Sequence, residues 1–389
     1  MKLAAAILAG SVVVLSWVFG GGPAGLLYLL IYLLAVAPGL PIGVALFGPR
    51  HAAAWICGGL IGYGLTQLAL WAVIVAGLAS PLAFALAWGV LGAASWAVSR
   101  LCRSPAVGIH PWSAKDTRTL LLALLVVPVL MAPPYRNIGR ADASGTRYYR
   151  AYFTADFLWH TALASELGKF TLPPRNPYLA PRVMNYYWTY FLLPSAVASA
   201  GPPPLHDVQA CLKTNAFLSG LLMVGALLVL VRTSVASAGP AAAAVLLAIV
   251  AASAEGLFAI VDLVSLGRPL VALTDMNIDA VTAWRYGGLR IDNIPRSLWY
   301  TPQHTTSLAL GLVGLVIASA GGARVGFAGI CGAGIALGLA TTMNPLLGAV
   351  CSIVYGVTIA ADTFGERGGW RLLLRHFVAA VPVALAVAW

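Results

Sequence analysis

The feature that most constrains this chain is a series of apolar runs, each long enough to cross a bilayer as a helix. A membrane-spanning helix needs about 17–25 predominantly apolar residues. Such runs lie at 3–19, 24–47, 52–78, 80–99, 118–133, 211–231, 240–262, 304–320, 325–341, 345–361 and 373–389. Charged residues make up only 9% of the chain, against about 25% in soluble domains, and its mean hydropathy is +0.88. Soluble and disordered proteins are therefore excluded, and an all-α, polytopic transmembrane helix bundle of about eleven spans is predicted.

The orientation of the spans follows from the short basic segments, because Lys and Arg in short loops mark the cytoplasmic side. These segments are Lys2, Arg50, 100–118, Arg232, Arg324 and 367–375. Five spans before residue 134 bring the first three segments to one side, so the stretch that follows starts outside. Residues 186–200 are apolar but short, aromatic and interrupted by Pro194. If residues 186–200 cross the membrane, the last three basic segments lie outside. If these residues form an interfacial or re-entrant helix, all three basic segments lie inside, and this is the option that we favour.

This topology divides the chain into five parts. They are N-terminal transmembrane helices at 1–133, a first outer loop with amphipathic and re-entrant helices at 134–210, a transmembrane hairpin at 211–262, a second outer loop at 263–303, and C-terminal transmembrane helices at 304–389. The chain ends at Trp389 inside an apolar run without a polar tail, as a C-terminally truncated fragment would. We expect a multi-pass protein of the inner (plasma) membrane, with membrane lipids among its partners.

Two local patterns predict packing and a helix start. Glycines at 58–64 and 332–338 are spaced like nucleotide-binding fingerprints, but neither group follows a strand and both lie in apolar runs. We therefore predict that they allow close approach of membrane helices. Ser113, followed three residues later by Asp116, predicts a capping box that opens the fifth span.

Most of the charge that the chain carries lies in the two outer segments. Seven of the twelve acidic residues are there: Asp142, Asp156, Glu166, Asp207, Asp275, Asp279 and Asp292. So are ten arginines: Arg136, Arg140, Arg147, Arg150, Arg175, Arg182, Arg268, Arg285, Arg290 and Arg296. These charges fit either two solvated loops or a site in which guanidinium groups grip phosphate or carboxylate. Outer arginines and cytoplasmic anchors account for the net charge of +11, so nucleic acid is not a predicted partner.

In the first outer segment, residues 154–166 have the pattern of an amphipathic helix. Asp156 and His160 are four residues apart and therefore share a helix face. Such a pair could supply part of a divalent-cation site or couple a base to a proton acceptor, and an ordinary helix pair fits equally well. A divalent cation therefore stays open as a cofactor, and no other cofactor is indicated.

Three polar features of the second half have alternative interpretations. The acidic run at 275–279 is spaced like a calcium loop but lacks the glycine and the distal glutamate of that loop, which argues against calcium. His304 opens a predicted span and is either a satisfied interface histidine or a site residue. Glu255 lies inside a predicted span, where an ionisable side chain either borders a wet cavity with Asp262 or extends to the interface.

Several motifs follow one another between residues 120 and 310. They are Asp156…His160…Glu166, Pro173-Pro174-x-Asn176-Pro177, Asn185-Tyr186-Tyr187-Trp188, Asn215, and Asp292…Pro295-Arg296-Ser297-Leu298…Pro302-Gln303-His304. Together they resemble the outer loops of GT-C superfamily membrane glycosyltransferases, and most of all the uncharacterised members named for a Tyr-Tyr-Tyr motif. The chain departs from that pattern in three ways: Asn176 replaces an acidic residue, Trp188 replaces a third tyrosine, and no second acidic residue adjoins Asp156.

The resemblance implies GT-C-like outer loops, a polyprenyl-phosphate-linked sugar as donor, transfer on the outer face, and Asp156 at the position of the catalytic acidic residue. In this chemistry a base takes the proton of the acceptor hydroxyl while cations absorb the charge of the departing phosphate. We therefore predict that Asp156 is the base, that His160 assists it, and that Arg285 and Arg296 hold the phosphate. The predicted substrate-binding residues are Glu166, Arg175, Tyr186, Tyr187, Arg285, Arg296, Gln303 and His304.

Two other classes of protein compete with a glycosyltransferase. A transporter or flippase for a lipid-linked or anionic solute would need polar groups at mid-membrane and two related halves. The sequence offers Glu255 as a buried charge and no evident internal repeat. A non-catalytic cell-envelope assembly protein would fit if the site residues had lost their function.

Overall fold

A computed structural model describes residues 1–102, 105–136, 138–149, 156–250, 255–275, 294–364 and 368–388. The α-helices of these ranges are α1 Lys2–Phe19, α2 Pro23–Val36, α3 Leu40–Phe47, α4 Ala52–Val75, α5 Pro81–Ser99, α6 Ala114–Leu124, α7 Val126–Tyr135, α8 Asp156–Leu167, α9 Leu192–Ala200, α10 Val208–Ser234, α11 Ala238–Val250, α12 Glu255–Ser265, α13 Ile294–Trp299, α14 Pro302–Gly321, α15 Phe327–Met343, α16 Pro345–Thr363, α17 Gly369–His376 and α18 Ala380–Ala388. One small antiparallel hairpin joins β1 Arg175–Asn176 to β2 Leu179–Val183. The protein is an all-α bundle.

Nine helices of the described ranges are long and apolar enough to cross a membrane, so the chain is a multi-pass membrane protein. They are Lys2–Phe19, Pro23–Phe47, Ala52–Val75, Pro81–Ser99, Ala114–Tyr135, Val208–Ser234, Pro302–Arg324, Pro345–Thr363 and Gly369–Ala388. The two remaining predicted spans have shorter counterparts. The run 325–341 corresponds to α15, which has 17 residues. The run 240–262 corresponds to two helices, α11 of 13 residues and α12 of 11 residues.

Polar side chains define where several helices begin. The predicted capping box is confirmed: Ser113 Oγ accepts the amide of Asp116 at 3.2 Å, and Asp116 Oδ2 accepts the amide of Ser113 at 2.9 Å. Asn344 caps α16 with its side-chain oxygen, and Pro345 occupies the first helical position, where its missing N–H has no cost. Asp207 caps α10 by accepting the amides of Gln209 and Ala210.

The glycines of α4 allow it to pack directly against the backbone around α2 and α3, as the sequence predicts. A Cβ atom on Gly62 would lie 2.1 Å from the carbonyl oxygen of Val36, and one on Gly58 would lie 2.9 Å from that of Gly39. In α15, a Cβ on Gly338 would lie 2.8 Å from the carbonyl oxygen of Pro382. Because these residues have no side chain, the helices contact each other through their backbones at these crossings rather than through interdigitating side chains.

The two ends of the bundle differ in chemistry. We call one end the basic face; it consists of residues 45–51, 105–118, Arg232 and Arg324. There Arg232 Nε pairs with Asp116 Oδ1 at 2.8 Å. We call the other end the loop face; it consists of Gly20–Pro23, 138–149, 201–207 and the start of α10. There Arg147 and Asp207 form an ion pair at 2.8 Å. Because α10 has 27 residues, the two pairs lie about 40 Å apart along its axis.

Residues 189–200 form an apolar helix that is too short to span and lies buried inside the bundle. Its first turn contacts the middle of α4: Tyr63 donates to the carbonyl oxygen of Tyr190 at 3.3 Å, and the amide of Leu193 donates to Gln67 Oε1 at 2.8 Å. Trp188 packs on Trp71, near the loop-face end of α4, and the following turn at 203–205 contacts α2, which begins at that face. The segment therefore enters and leaves the bundle at the loop face.

We predict that Gly62→Ala lowers the stability of the bundle, because the added methyl group overlaps the backbone of Val36. Overpacking of this kind costs about 1–3 kcal/mol. The matched control is Gly59→Ala in the same helix, whose Cβ would make an ordinary 3.6 Å contact with Leu222. Thermal unfolding in detergent should show a lower midpoint for the first variant only; equal midpoints would contradict direct backbone contact at this crossing.

A second prediction concerns sidedness. Cysteines placed at the exposed positions Ser144 and Ser165 should react with an impermeant maleimide from one side of the membrane, and a cysteine at Lys115 from the other. Serine replacements of the partly exposed Cys102 and Cys331 provide the background. Labelling of right-side-out and inverted vesicles gives the readout, and reaction of Ser144→Cys and Lys115→Cys from one side would contradict the two-ended arrangement.

Candidate functional site

Helix α8 places Asp156 and His160 at the loop-face half of the bundle. Phe157, His160, Ala164 and Leu167 are buried, and their spacing of three and four residues gives the helix one buried face. Phe157 contacts Tyr135, with ring centroids 6.3 Å apart, and His160 contacts Phe191, with centroids 4.9 Å apart. The amphipathic helix predicted here is therefore docked on the bundle rather than free on its surface.

Gln303 connects two other predicted site residues. Its Nε2 group donates to His160 Nε2 at 3.1 Å and to the Tyr186 hydroxyl at 3.3 Å. Burial, and next the neighbouring His304, lower the pKa of His160 to about 3. The imidazole is therefore neutral at physiological pH, so its Nε2 accepts the proton that Gln303 offers.

Tyr186 and Tyr187 form the second part of the cluster. Their rings stack with centroids 4.2 Å apart and planes 21° from parallel. Tyr187 also makes a 2.7 Å hydrogen bond between its hydroxyl and His304 Nε2, and Trp159 packs edge-on against Tyr186 at 5.7 Å. The tyrosine pair is therefore fixed from both sides, by α8 and by the first turn of α14.

Asp156 and Arg296 meet at Tyr300. The guanidinium carbon of Arg296 lies 4.2 Å from the centre of the Tyr300 ring, and its side chain is only 2% exposed. Burial, and next the carboxylate of Asp156, raise the pKa of Tyr300, while Arg296 and the backbone amide of Asp156 oppose this by hydrogen bonding to its hydroxyl. Burial, the adjacent Tyr187 and the Asp156 carboxylate also raise the pKa of Tyr186. The negative charge of Asp156 therefore acts on both phenols, and the buried guanidinium of Arg296 packs on one of them.

The structure brings together seven of the predicted site residues: Asp156, His160, Tyr186, Tyr187, Arg296, Gln303 and His304. Three features named from the sequence lie outside the described part of the chain. They are Arg285, the side chain of Glu255 and the acidic run at 275–279, of which only the backbone of Asp275 is described. Tyr300 belongs to the cluster although no sequence signal singled it out, because its role depends on two partners in different segments.

Glu166 and Arg175 lie at the hairpin and not in this cluster. The buried carboxylate of Glu166 accepts a hydrogen bond from Lys169 and another from the backbone amide of Arg175, at 3.1 Å for the latter. Burial alone would raise the pKa of Glu166, but these two groups outweigh it and hold the pKa below its usual 4.5. The Arg175 side chain is exposed and donates to the Pro181 carbonyl oxygen of its own hairpin at 3.5 Å. Both residues thus have structural partners here.

Asn176, where the resembled family has an acidic residue, closes the hairpin. Its Oδ1 accepts the amides of Tyr178 at 2.9 Å and Leu179 at 3.1 Å. Side-chain oxygens of Asn and Asp both form turns of this kind. The substitution therefore keeps the turn and removes a negative charge from it.

A cavity of about 540 Å³ adjoins the cluster. Its walls come from the end of α4, the hairpin and the segment before α9, and they include Trp71, Pro174, Asn185, Tyr186 and Trp188. Trp71 and Trp188 pack with centroids 4.2 Å apart. Tyr186 contributes to both the cavity and the polar cluster, so it joins the two.

The sequence leaves a divalent cation open as a cofactor, and the described residues can be examined for a suitable donor set. No group of three His, Cys, Asp or Glu side chains suited to a metal ion gathers within the ranges that the structure describes. His160 Nε2 is already engaged by Gln303. The donor set of the described residues therefore does not form a protein-bound metal centre, and the reaction below is written without one.

Comparisons with models of known families, with curated proteins and with solved structures give no match for this chain. Its function is therefore argued from the residues of the cluster, their contacts and the adjoining cavity. The resemblance to GT-C enzymes stays a prediction from the sequence.

We predict that Glu166→Gln loosens the hairpin, because it removes the charge that binds Lys169 and weakens the bond to the Arg175 amide. Trypsin should then cleave faster after Arg175 and Arg182 than in the parent chain, while Ser165→Ala, an exposed neighbour, should leave the rate unchanged.

The same contact should depend on pH. Because the pKa of Glu166 in the folded protein lies below its unfolded value of 4.5, its stabilisation is present above that value and is lost as the pH falls through the folded pKa. Unchanged cleavage in Glu166→Gln would mean that the carboxylate does not hold the hairpin.

Proposed function

We propose that this protein is an integral membrane glycosyltransferase of GT-C type, which transfers a sugar from a polyprenyl-phosphate-linked donor to an acceptor at the outer membrane face. One observation carries the proposal. A carboxylate, Asp156, and a buried guanidinium, Arg296, are brought to the same tyrosine by segments 140 residues apart in the sequence. Glycosyl transfer from a lipid phosphate needs a base and a cation in such proximity.

The reaction assigns a different task to each charge. The acceptor hydroxyl gives its proton to the Asp156 carboxylate as its oxygen bonds to the anomeric carbon. The bond between that carbon and the phosphate oxygen breaks, and its electron pair leaves with the lipid phosphate. Arg296, assisted by Arg285 from the second outer loop, balances the negative charge of the departing phosphate. Atoms and charges balance without a further reactant.

Gln303 supports a polyhydroxylated substrate. Both N–H donors of its amide are used, one by His160 and one by Tyr186. Its Oε1 is buried and accepts no hydrogen bond from any residue that the structure describes. An unsatisfied buried acceptor costs about 1–3 kcal/mol. A sugar or acceptor hydroxyl that donates to this oxygen would recover that free energy on binding.

The aromatic cavity suits the rest of a glycolipid donor. Indole and phenol rings present flat faces to sugar rings and apolar area to an isoprenoid chain. Because Tyr186 lines the cavity and also contacts Gln303, a substrate in the cavity would reach the polar cluster. We assign His160 the task of orienting Gln303 through the hydrogen bond that it accepts from the Gln303 amide. Because its imidazole is neutral, it does not balance the negative charge of the phosphate.

The proposal includes a topology and a location. We retain eleven spans, with α15 as one and α11 together with α12 as another, and the loop face on the outer side of the inner (plasma) membrane. The basic face then carries Arg50, Arg232 and Arg324, which agrees with the positive-inside rule. The loop face is reached by donors whose sugar phosphate lies at the outer membrane surface.

We predict that Asp156→Asn lowers sugar transfer by about 10²–10⁴-fold, the usual contribution of a general base. The amide keeps the shape of the side chain, so the thermal unfolding midpoint should stay close to that of the parent. The assay uses the purified full chain with radiolabelled polyprenyl-phosphate sugars and cell-envelope acceptors. Asp142→Asn is the matched control, because that carboxylate lies in an exposed turn where its partners are local: Ser144, Thr146 and Tyr148.

Transfer by Asp156→Asn at the parental rate would remove Asp156 from the mechanism. Absence of transfer by the parent with every donor, combined with movement of a lipid-linked or anionic solute across proteoliposomes, would replace the enzyme with a transporter or flippase. Absence of both activities would favour a non-catalytic cell-envelope assembly protein.

A further inference from the structure

A second cavity, of about 390 Å³, opens at the loop face away from the aromatic cavity. It lies between the end of α1, the loop at 138–149 and the first turns of α10. Its lining is rich in positive charge and includes Arg136, Arg140, Arg147 and Lys213. Asp207 contributes the one carboxylate of the residues that line it.

The charges of this cavity are not balanced within the described ranges. Asp207 is paired with Arg147 at 2.8 Å, so its charge is already compensated. Neither Arg136 nor Arg140 makes an ion pair with a carboxylate among the residues that the structure describes. Lys213 is only 7% exposed, and its amine donates to the carbonyl oxygen of Ile138 at 2.8 Å. A neutral carbonyl does not offset the charge of that buried ammonium group, and Asp207, already paired with Arg147, offsets it only in part.

The cavity is separate from the cluster around Asp156. The ring of Tyr135 is 1% exposed and contacts Phe19, a wall of the basic cavity, at 5.4 Å. On its other side it contacts Phe157 at 6.3 Å, and its hydroxyl donates to the carbonyl oxygen of Trp299 at 2.6 Å. These aromatic rings link the wall of the basic cavity to α8 and to the segment of Arg296, and none of the cluster residues lines the basic cavity, so the cavity can be occupied without reaching Asp156.

The position of the cavity indicates what can enter it. Trp17 and Phe19, in the last turn of a predicted span, form part of its wall, and Trp17 is 47% exposed. Tryptophan at the end of a span lies at the level of lipid headgroups. Guanidinium groups bind phosphate through paired charge-assisted hydrogen bonds, and an ammonium group adds a point charge.

We infer that this basic cavity binds a negatively charged phosphate group at the membrane surface, held by Arg136, Arg140 and the buried amine of Lys213. An anionic phospholipid headgroup and free phosphate share this chemistry. The site is distinct from the proposed transfer reaction, and it persists whether or not the chain transfers sugars.

The test measures binding directly. The purified full chain in neutral detergent is titrated with dihexanoyl phosphatidylglycerol, with dihexanoyl phosphatidylcholine and with inorganic phosphate, and the shift in thermal unfolding gives an apparent Kd for each. The test variant is Arg136→Gln/Arg140→Gln. Both arginines are exposed, so their replacement leaves the core packing intact. The matched control is Arg175→Gln/Arg182→Gln, which removes two exposed arginines from the hairpin.

We expect an anionic probe to stabilise the parent and the control equally, and the apparent Kd to rise about 10-fold or more in the test variant, since charge-assisted hydrogen bonds are lost. Stabilisation by phosphatidylglycerol alone identifies a lipid headgroup as the ligand, and stabilisation by inorganic phosphate as well identifies a general phosphate site. Equal losses in the two double variants, equal effects of the two lipids on the parent, or no stabilisation by either anionic probe would overturn the inference.

Discussion

The absence of water from the bilayer core is the constraint on which this structure depends. Backbone groups there must bond within the protein, so the described residues fold mostly into helices. Polar side chains inside the bundle obey the same rule: Tyr28 donates to Asn215 Oδ1, and Asn215 donates to the Tyr63 hydroxyl. Departures from helix are therefore informative. Two of them, before α9 and before α14, bring Tyr186, Tyr187 and Tyr300 into contact with the polar residues of α8 and α14.

Much of this could be predicted from the sequence because the signals are local. Length and composition specify a helical membrane bundle, a three-residue spacing specifies the capping box at Ser113, and small residues in an apolar run specify the close crossing at Gly62. Asp156 and His160 share a face because they are four residues apart. That Arg296, Gln303 and His304 lie in one short segment also follows from the sequence, since they span less than three helical turns.

The partners of those residues could not be predicted, because a local pattern gives the face of a helix and not what covers it. Gln303 and His160 are 143 residues apart, and no spacing rule joins them. The same limit applies to Glu166. The sequence predicts that this carboxylate binds substrate, and no local pattern predicts the contacts with Lys169 and the Arg175 amide that the structure shows. No local pattern marks Tyr300 as a site residue, because an aromatic residue just before a span is common.

Burial determines how charge is divided within the cluster. His160 has a pKa of about 3, so it contributes a dipole rather than a charge. Tyr186 and Tyr300 stay protonated because burial and the nearby carboxylate both disfavour phenolate. In the described part of the cluster, the charges that act on Tyr300 are therefore the negative charge of Asp156 and the positive charge of Arg296. The proposed transfer releases a proton from the acceptor hydroxyl and leaves a negative charge on the departing phosphate. The Asp156 carboxylate can take the proton, and the Arg296 guanidinium can balance the phosphate charge.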